Sequence, residues 1–218
     1  FKKDGFTKII YRSETVNANA INFYFIEDQK SLMASARWAH GLTETYGYLD
    51  TFNPKAVRQY IEMTHEQYKK WIGDEFGKTV LGVFTDETTM CAVGDIAAGK
   101  TVWNNCFRDE FIKKYGYDLK DFVYCLYKPA ENQTEKKARE DYWNLVKELY
   151  QTNFIKQMSD WCVENGLTFT GHFGGEEDLY WSLMETGDMM MSLTNLQMPG
   201  MDSILSSQFI NNSNFNVA

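Results

Sequence analysis

Apolar and polar positions along this chain follow two rhythms. From Pro54 onward, Val57, Tyr60, Ile61, Thr64, Tyr68 and Trp71 recur at spacings of three and four, the period of a single helix face. Asn53 supplies an N-cap acceptor, Pro54 suits the first helical position because it has no N–H to satisfy, and Gly73 marks the end. The same rhythm returns in "REDYWNLVKELYQTNFIKQMSDWCVENG", where Trp143, Val146, Tyr150, Phe154, Met158 and Trp161 form a stripe that stops at Gly166. A long amphipathic helix packed on a broad surface is predicted there.

Each helix leads into a short apolar run, "KTVLGVF" and then "LTFTGHF". Neither alternates, so both are expected to be strands buried on two faces, as in parallel sheets. Helix, strand, helix, strand predicts an α/β fold. Residues 1 to 50 read differently: "FTKIIYR" and "INFYFIED" are aromatic and β-branched runs around a polar segment, "SETVNANA". They predict a small antiparallel β insertion, with residues 51 to 218 forming the α/β part. Between Thr88 and Ala138 runs a long connection with one short helix, "FRDEFIKKYG", and a polar stretch, "KPAENQTEKK". Connections of that length usually serve function or motion.

Composition narrows the function classes. With 22 basic and 30 acidic residues the formal charge is -8, so no basic field attracts a phosphate backbone and nucleic acid is not the expected partner. The longest apolar runs, such as "MMM" at 189 to 191, fall far short of the roughly 20 residues of a membrane-spanning helix. Cys91, Cys106, Cys125 and Cys162 form no C-x-x-C pair, which argues for free thiols rather than a zinc knuckle or redox motif. The chain starts "FKKDGF", which resembles the interior of a larger protein, so its compartment is that of the parent. Aromatic residues make up 16%; most belong in cores, and a minority suit the C–H face of a sugar.

Candidate chemistry sits where the two strands end. Parallel α/β folds carry their reactive groups at the C-terminal ends of strands. The first end, "FTDE", presents Asp86 and Glu87; the second, "FTGHFGGEED", presents His172 and, past two glycines, Glu176, Glu177 and Asp178. Either acidic run alone also reads as a solvated strand end or the first turn of a helix. Together they supply the two carboxylates that a glycosidic bond requires, one to protonate the leaving oxygen and one to activate water or attack carbon. The same atoms suit a divalent metal, calcium if oxygens dominate or zinc if His172 takes part. There is no G-x-S-x-G elbow, P-loop, H-E-x-x-H or G-x-G-x-x-G motif.

Four stretches in order carry a family resemblance: "YLDTFNPKAVRQYIEMTHEQYKKWIGDEFGKTVLGVFTDE", "FRDEFIKKYGYDL", "DYWNLVKELYQTNF" and "WCVENGLTFTGHFGGEEDL". With "MPGMDSI" near the end, residues 46 to 204 resemble the central part of bacterial glycoside hydrolases of the α-L-rhamnosidase-like type. That resemblance implies a partial (β/α)8 (TIM) barrel after a small N-terminal β-rich insertion, acting on plant or bacterial polysaccharides. It implies Glu87 as general acid and Glu176 as second carboxylate. Asp86, His172, Trp103 and Glu177 are implied as substrate-binding or orienting residues. Calcium, used by some members, is the one cofactor implied, and none is required. Where the family usually has proline after "TDE" this chain has Thr88, which is expected to loosen the turn. A whole barrel takes about 200 to 250 residues, so only part of the eight βα units fits.

Two readings of function follow, with carbohydrate as the expected partner of both. One is hydrolysis of glycosidic bonds by two carboxylates. The other is a non-catalytic carbohydrate-binding or structural piece that self-associates through open sheet edges. A metal-dependent hydrolase on the same residues is a third, separable by chelation.

Overall fold

The computed structural model describes residues 2–3, 6–7, 49–90, 101–104, 106–176 and 178–202. Of the expected N-terminal insertion, β1 (Lys2–Lys3) and β2 (Phe6–Thr7), paired antiparallel, and residues 49–50 fall within these; its other residues lie outside. Two compact units interleave along the sequence, Phe1–Val57 with Cys91–Leu149 and Arg58–Met90 with Tyr150–Ala218.

In the first unit the start of helix α1 (Pro54–Met63) forms as the sequence predicts. Asn53 Oδ1 accepts the N–H groups of Lys55 and Ala56 at 3.0 and 3.4 Å. Helices α3 (Phe107–Tyr115) and α4 (Gln133–Tyr150) supply the rest of the frame. The α4 start lies upstream of the expected Arg139, because Asn132 caps a helix that begins inside the polar stretch. Asn132 Oδ1 accepts from Glu135 N at 3.0 Å, and Glu135 Oε2 accepts from Glu131 N at 2.8 Å. Helix α3 (Phe107–Tyr115) anchors the core through Phe107, whose ring lies 5.1 to 6.1 Å from those of Trp103, Tyr142 and Phe52. Aromatic pairs at such distances add to area burial. Buried Asp50 accepts from Asn104 Nδ2 at 3.1 and 3.2 Å and from Phe52 N at 3.1 Å.

The second unit holds a three-stranded parallel sheet in the order β3 (Gly82–Asp86), β4 (Thr168–His172), β5 (Met198–Pro199). Helix α5 (Lys156–Glu164) packs on β4, and a π turn at Gln151–Ile155 joins α4 to α5 without a break. The buried Gln151 Nε2 donates to Ser192 Oγ at 2.6 Å, so the extra residue of that turn aims an amide into the interior. Helices α6 (Leu179–Thr186) and α7 (Met189–Leu193) precede β5. The α/β class with a parallel sheet therefore stands. Among the described residues no helix is long and apolar enough to cross a membrane.

Three local expectations are corrected. The helix from Pro54 is not continuous: it breaks at Thr64 and resumes as α2 (His65–Ile72). Thr64 Oγ1 donates to Tyr60 O at 2.7 Å and contacts His65 Nδ1 at 2.7 Å. The hydroxyl proton is spent on Tyr60, so His65 donates from Nδ1 and its buried Nε2 is the bare ring nitrogen. Burial pushes the His65 pKa down accordingly. After the break Tyr68 and Trp71 point to solvent instead of continuing the buried stripe. The first strand starts at Gly82, later than "KTVLGVF" implies. It is also not buried on both faces, since Phe84 is 62% and Leu81 67% exposed. Among the described residues, Cys106, Cys125 and Cys162 carry thiols that form no disulfide; Cys91 lies outside them.

Candidate active site

The register of the sheet dictates which side chains meet. Phe84 pairs with Thr170 and Asp86 with His172, and paired residues in a parallel ladder share a face at about 4.8 Å strand spacing. Phe84, Asp86, Thr170 and His172 therefore line one face, while Thr85 and buried Phe169 line the other. His172 Nε2 lies 3.1 Å from Asp86 Oδ1, and the Phe84 ring stands edge-on at 5.8 Å from the imidazole. His172 is buried, whereas the Asp86 side chain is 80% exposed. Asp86 reaches inward from water to hold the ring.

Glu87 leaves the strand with φ 46°, the one non-glycine residue with positive φ among those described. Its N–H donates to His172 O at 3.2 Å, extending the ladder by one bond while the left-handed backbone turns the chain off the sheet. Thr88 braces that turn. Its Oγ1 sits 2.5 Å from Thr85 Oγ1, and its carbonyl accepts from Tyr150 OH at 2.8 Å. Thr88 thus holds the turn with two hydrogen bonds, where a loosened turn was expected.

After His172 the chain turns through Gly174 and Gly175 and brings Glu176 back to the imidazole. Glu176 Oε1 lies 3.6 Å from His172 Nδ1 and accepts the N–H of Asp202 at 2.5 Å; its side chain is only 8% exposed. Close strand approach makes this convergence possible. A Cβ on Gly171, whose φ is 134°, would stand 2.0 Å from Thr85 O, and one on Gly200 would stand 2.8 Å from Gly171 O. Glycine at both positions lets the exits of β3, β4 and β5 meet.

The structure thus brings together Asp86, Glu87, His172 and Glu176. Glu177 lies outside the described residues. Trp103 belongs to the first unit, half-buried with its ring 5.1 Å from Phe107. Asp178, the third acid of that run, caps α6 by accepting from Tyr180 N and Trp181 N at 2.8 and 3.1 Å. Sequence reasoning missed Asp202. Its signal was present in "MPGMD", where a carboxylate follows a glycine past an apolar pair, but a two-residue strand has no periodicity to betray it.

Glu87, His172 and Asp202 each present a ligand atom within 4.8 Å of the other two. With Nε2 engaged by Asp86, the buried Nδ1 makes no hydrogen bond among the described residues, its nearest carboxylate being Glu176 Oε1 at 3.6 Å, and is the ring atom left for a ligand. Two carboxylates and one imidazole fit a divalent ion with coordination positions to spare. The imidazole leans toward zinc, while calcium would draw its remaining oxygens from elsewhere.

No protein-family profile and no curated protein matches this chain. A solved rhamnosidase structure from Novosphingobium sp. PP1Y is similar over 69% of this chain, with a TM-score of 0.52 and 21% sequence identity. The match takes in 14% of that longer chain. The likeness is one of fold: a mixed α/β arrangement shared with a segment of a glycoside hydrolase.

Proposed function

We propose that this chain carries part of a (β/α)8 barrel of a rhamnosidase-like glycoside hydrolase. In this reading Glu87 is its general acid and Glu176 its second carboxylate. One observation carries it: the C-terminal ends of two adjacent parallel strands deliver Glu87 and Glu176 to the same histidine. Ligands of parallel α/β sheets bind at that end, and two carboxylates around a scissile bond are the minimum equipment for glycoside hydrolysis. Glu87 would protonate the glycosidic oxygen. Glu176, held at Oε1, would activate water or attack the anomeric carbon. Asp86 and His172 would orient the pair and contact sugar hydroxyls, and Glu177 is proposed as a further sugar contact. The substrate is a carbohydrate, and residues 1 to 50 form a small β insertion ahead of the barrel part.

The test is hydrolysis of an aryl α-L-rhamnoside by wild type and Glu87→Gln. Loss of turnover with the fold intact is expected; unchanged turnover sinks the assignment.

The cluster of Glu87, His172 and Asp202 favours a second reading, in which these residues hold a divalent ion that polarises sugar hydroxyls. An ion on Glu87 would occupy the carboxylate that protonates the leaving oxygen, so the readings exclude each other. Activity lost on chelation and restored by calcium or zinc supports the metal; activity indifferent to chelator supports the two-carboxylate mechanism.

A further inference from the structure

We infer that Asp202 is a positioning residue of this site, and that the exit of β5 serves to lay its main-chain N–H on Glu176. For its function the inference rests on the two-carboxylate reading; for its structure it rests on geometry alone. Asp202 N donates to Glu176 Oε1 at 2.5 Å, while its carboxylate lies within 4.8 Å of ligand atoms of Glu87 and His172. One residue therefore contacts one proposed catalytic group through its backbone and neighbours the other through its side chain.

Glutamate is long, and three torsions separate its carboxyl from the chain. Glu176 also follows a glycine turn, which does little to aim it. A backbone donor corrects this, because an N–H bound to a carboxylate is a charge-assisted bond, short and about twice as strong as a neutral one. The donor is itself fixed. Gly200 N donates to Gly171 O at 2.8 Å, one residue before His172, and Gln197 N donates to Phe169 O at 3.1 Å. The amide of residue 202 is thus registered against β4 by bonds on the strand that carries His172. Any side chain at 200 would meet Gly171 O at 2.8 Å and push that register apart. If the bond merely tied down a loop, removing it would alter stability and leave turnover per folded molecule unchanged.

Two substitutions in the full chain separate backbone from side chain. Asp202→Pro deletes the N–H; Asp202→Asn keeps it and deletes the charge. With Glu176 misplaced, Asp202→Pro is expected to lose about 100-fold in kcat on an aryl α-L-rhamnoside with KM little changed. Asp202→Asn is expected to retain more of kcat. Wild-type kcat in Asp202→Pro, or equal loss in both variants, overturns the inference. A second measurement stands apart from activity and from the folding of the proline variant. The Asp202 amide proton of the wild-type chain should resonate downfield and exchange slowly, and should move upfield in Glu176→Ala. An unmoved resonance means the bond is not made, and the inference fails whatever the kinetics. Conversely, a shifted resonance alongside unchanged turnover in Glu87→Gln would leave the bond standing and remove the two-carboxylate reading with Glu87 as its acid.

Discussion

Glu87 occupies a backbone conformation that its side chain does not favour. At φ 46° an L-residue with a Cβ costs about 1 kcal/mol over glycine. The position makes sense if the carboxyl is worth its strain to function. Glu87→Gly is therefore expected to unfold at equal or higher denaturant concentration, by up to about 1 kcal/mol, while losing glycoside hydrolysis. A clear drop in its unfolding midpoint would show that the side chain is structural. Asp50 makes a different case in the first unit. Burial pushes its pKa from 3.8 up to about 7, partly offset by the Asn104 amide. A pKa raised in the folded state means that the native protein holds a proton the unfolded chain has released. Stability from this group is present below about pH 4 and is lost as pH rises toward 7. The loss is on the order of 4 kcal/mol, the worth of a shift of about three pKa units. Asp50→Asn should flatten that part of the stability profile and be more stable than wild type at pH 7.5, as chemical denaturation across pH 4 to 8 would show.

At the scale of elements, the convergence of three strand exits hangs on contacts between main chains. Gly171→Ala would put a Cβ 2.0 Å from Thr85 O, on the backbone of a paired strand that cannot rotate away. Roughly 3 kcal/mol or more of stability should be lost, seen as a fall in denaturant midpoint and faster amide exchange in β3; a neutral outcome would contradict the strand spacing. This level also shows what could be read ahead of the structure. The Asn53 and Pro54 start was legible because capping is local chemistry, decided by hydrogen bonds at 3.0 and 3.4 Å within three residues. The long stripe from Trp143 to Trp161 was legible because burial repeats along it. The break at Thr64 was not, since a helical period runs through it undisturbed; a hydroxyl shared between Tyr60 O and His65 Nδ1 ends the helix. The start of β3 was misplaced because Gly82 is set by its closeness to Thr168 O, a partner far along the chain. Asp86, Glu87, His172 and Glu176 were found from strand-end logic, whereas Asp202 enters through a pairing only two residues long.

At the scale of the whole molecule, the sheet of the second unit is unequally covered. Parallel sheets are normally shielded on both faces. Here one face carries Phe169 and Thr85, both buried, while the other carries Phe84, 62% exposed, beside Asp86 and His172. Leu81 and Met198 add further exposed apolar surface at the two outer strands or next to them. A phenyl ring in water beside a carboxylate cluster invites a cover, either a sugar face or apolar protein surface. Burying it is worth about 1.5 to 3 kcal/mol, or roughly ten- to a hundredfold in a dissociation constant. The chain is accordingly expected to sediment with a concentration-dependent weight, and Phe84→Asp to shift it to the monomer without altering its far-ultraviolet circular dichroism. Excess rhamnose distinguishes the covers. If the sugar occupies the Phe84 face it should dissociate the self-associated species; if association persists unchanged, the contact lies elsewhere on the surface. A wild-type chain that is monomeric at every concentration would retire self-association and leave Phe84 as a wall of the proposed sugar site.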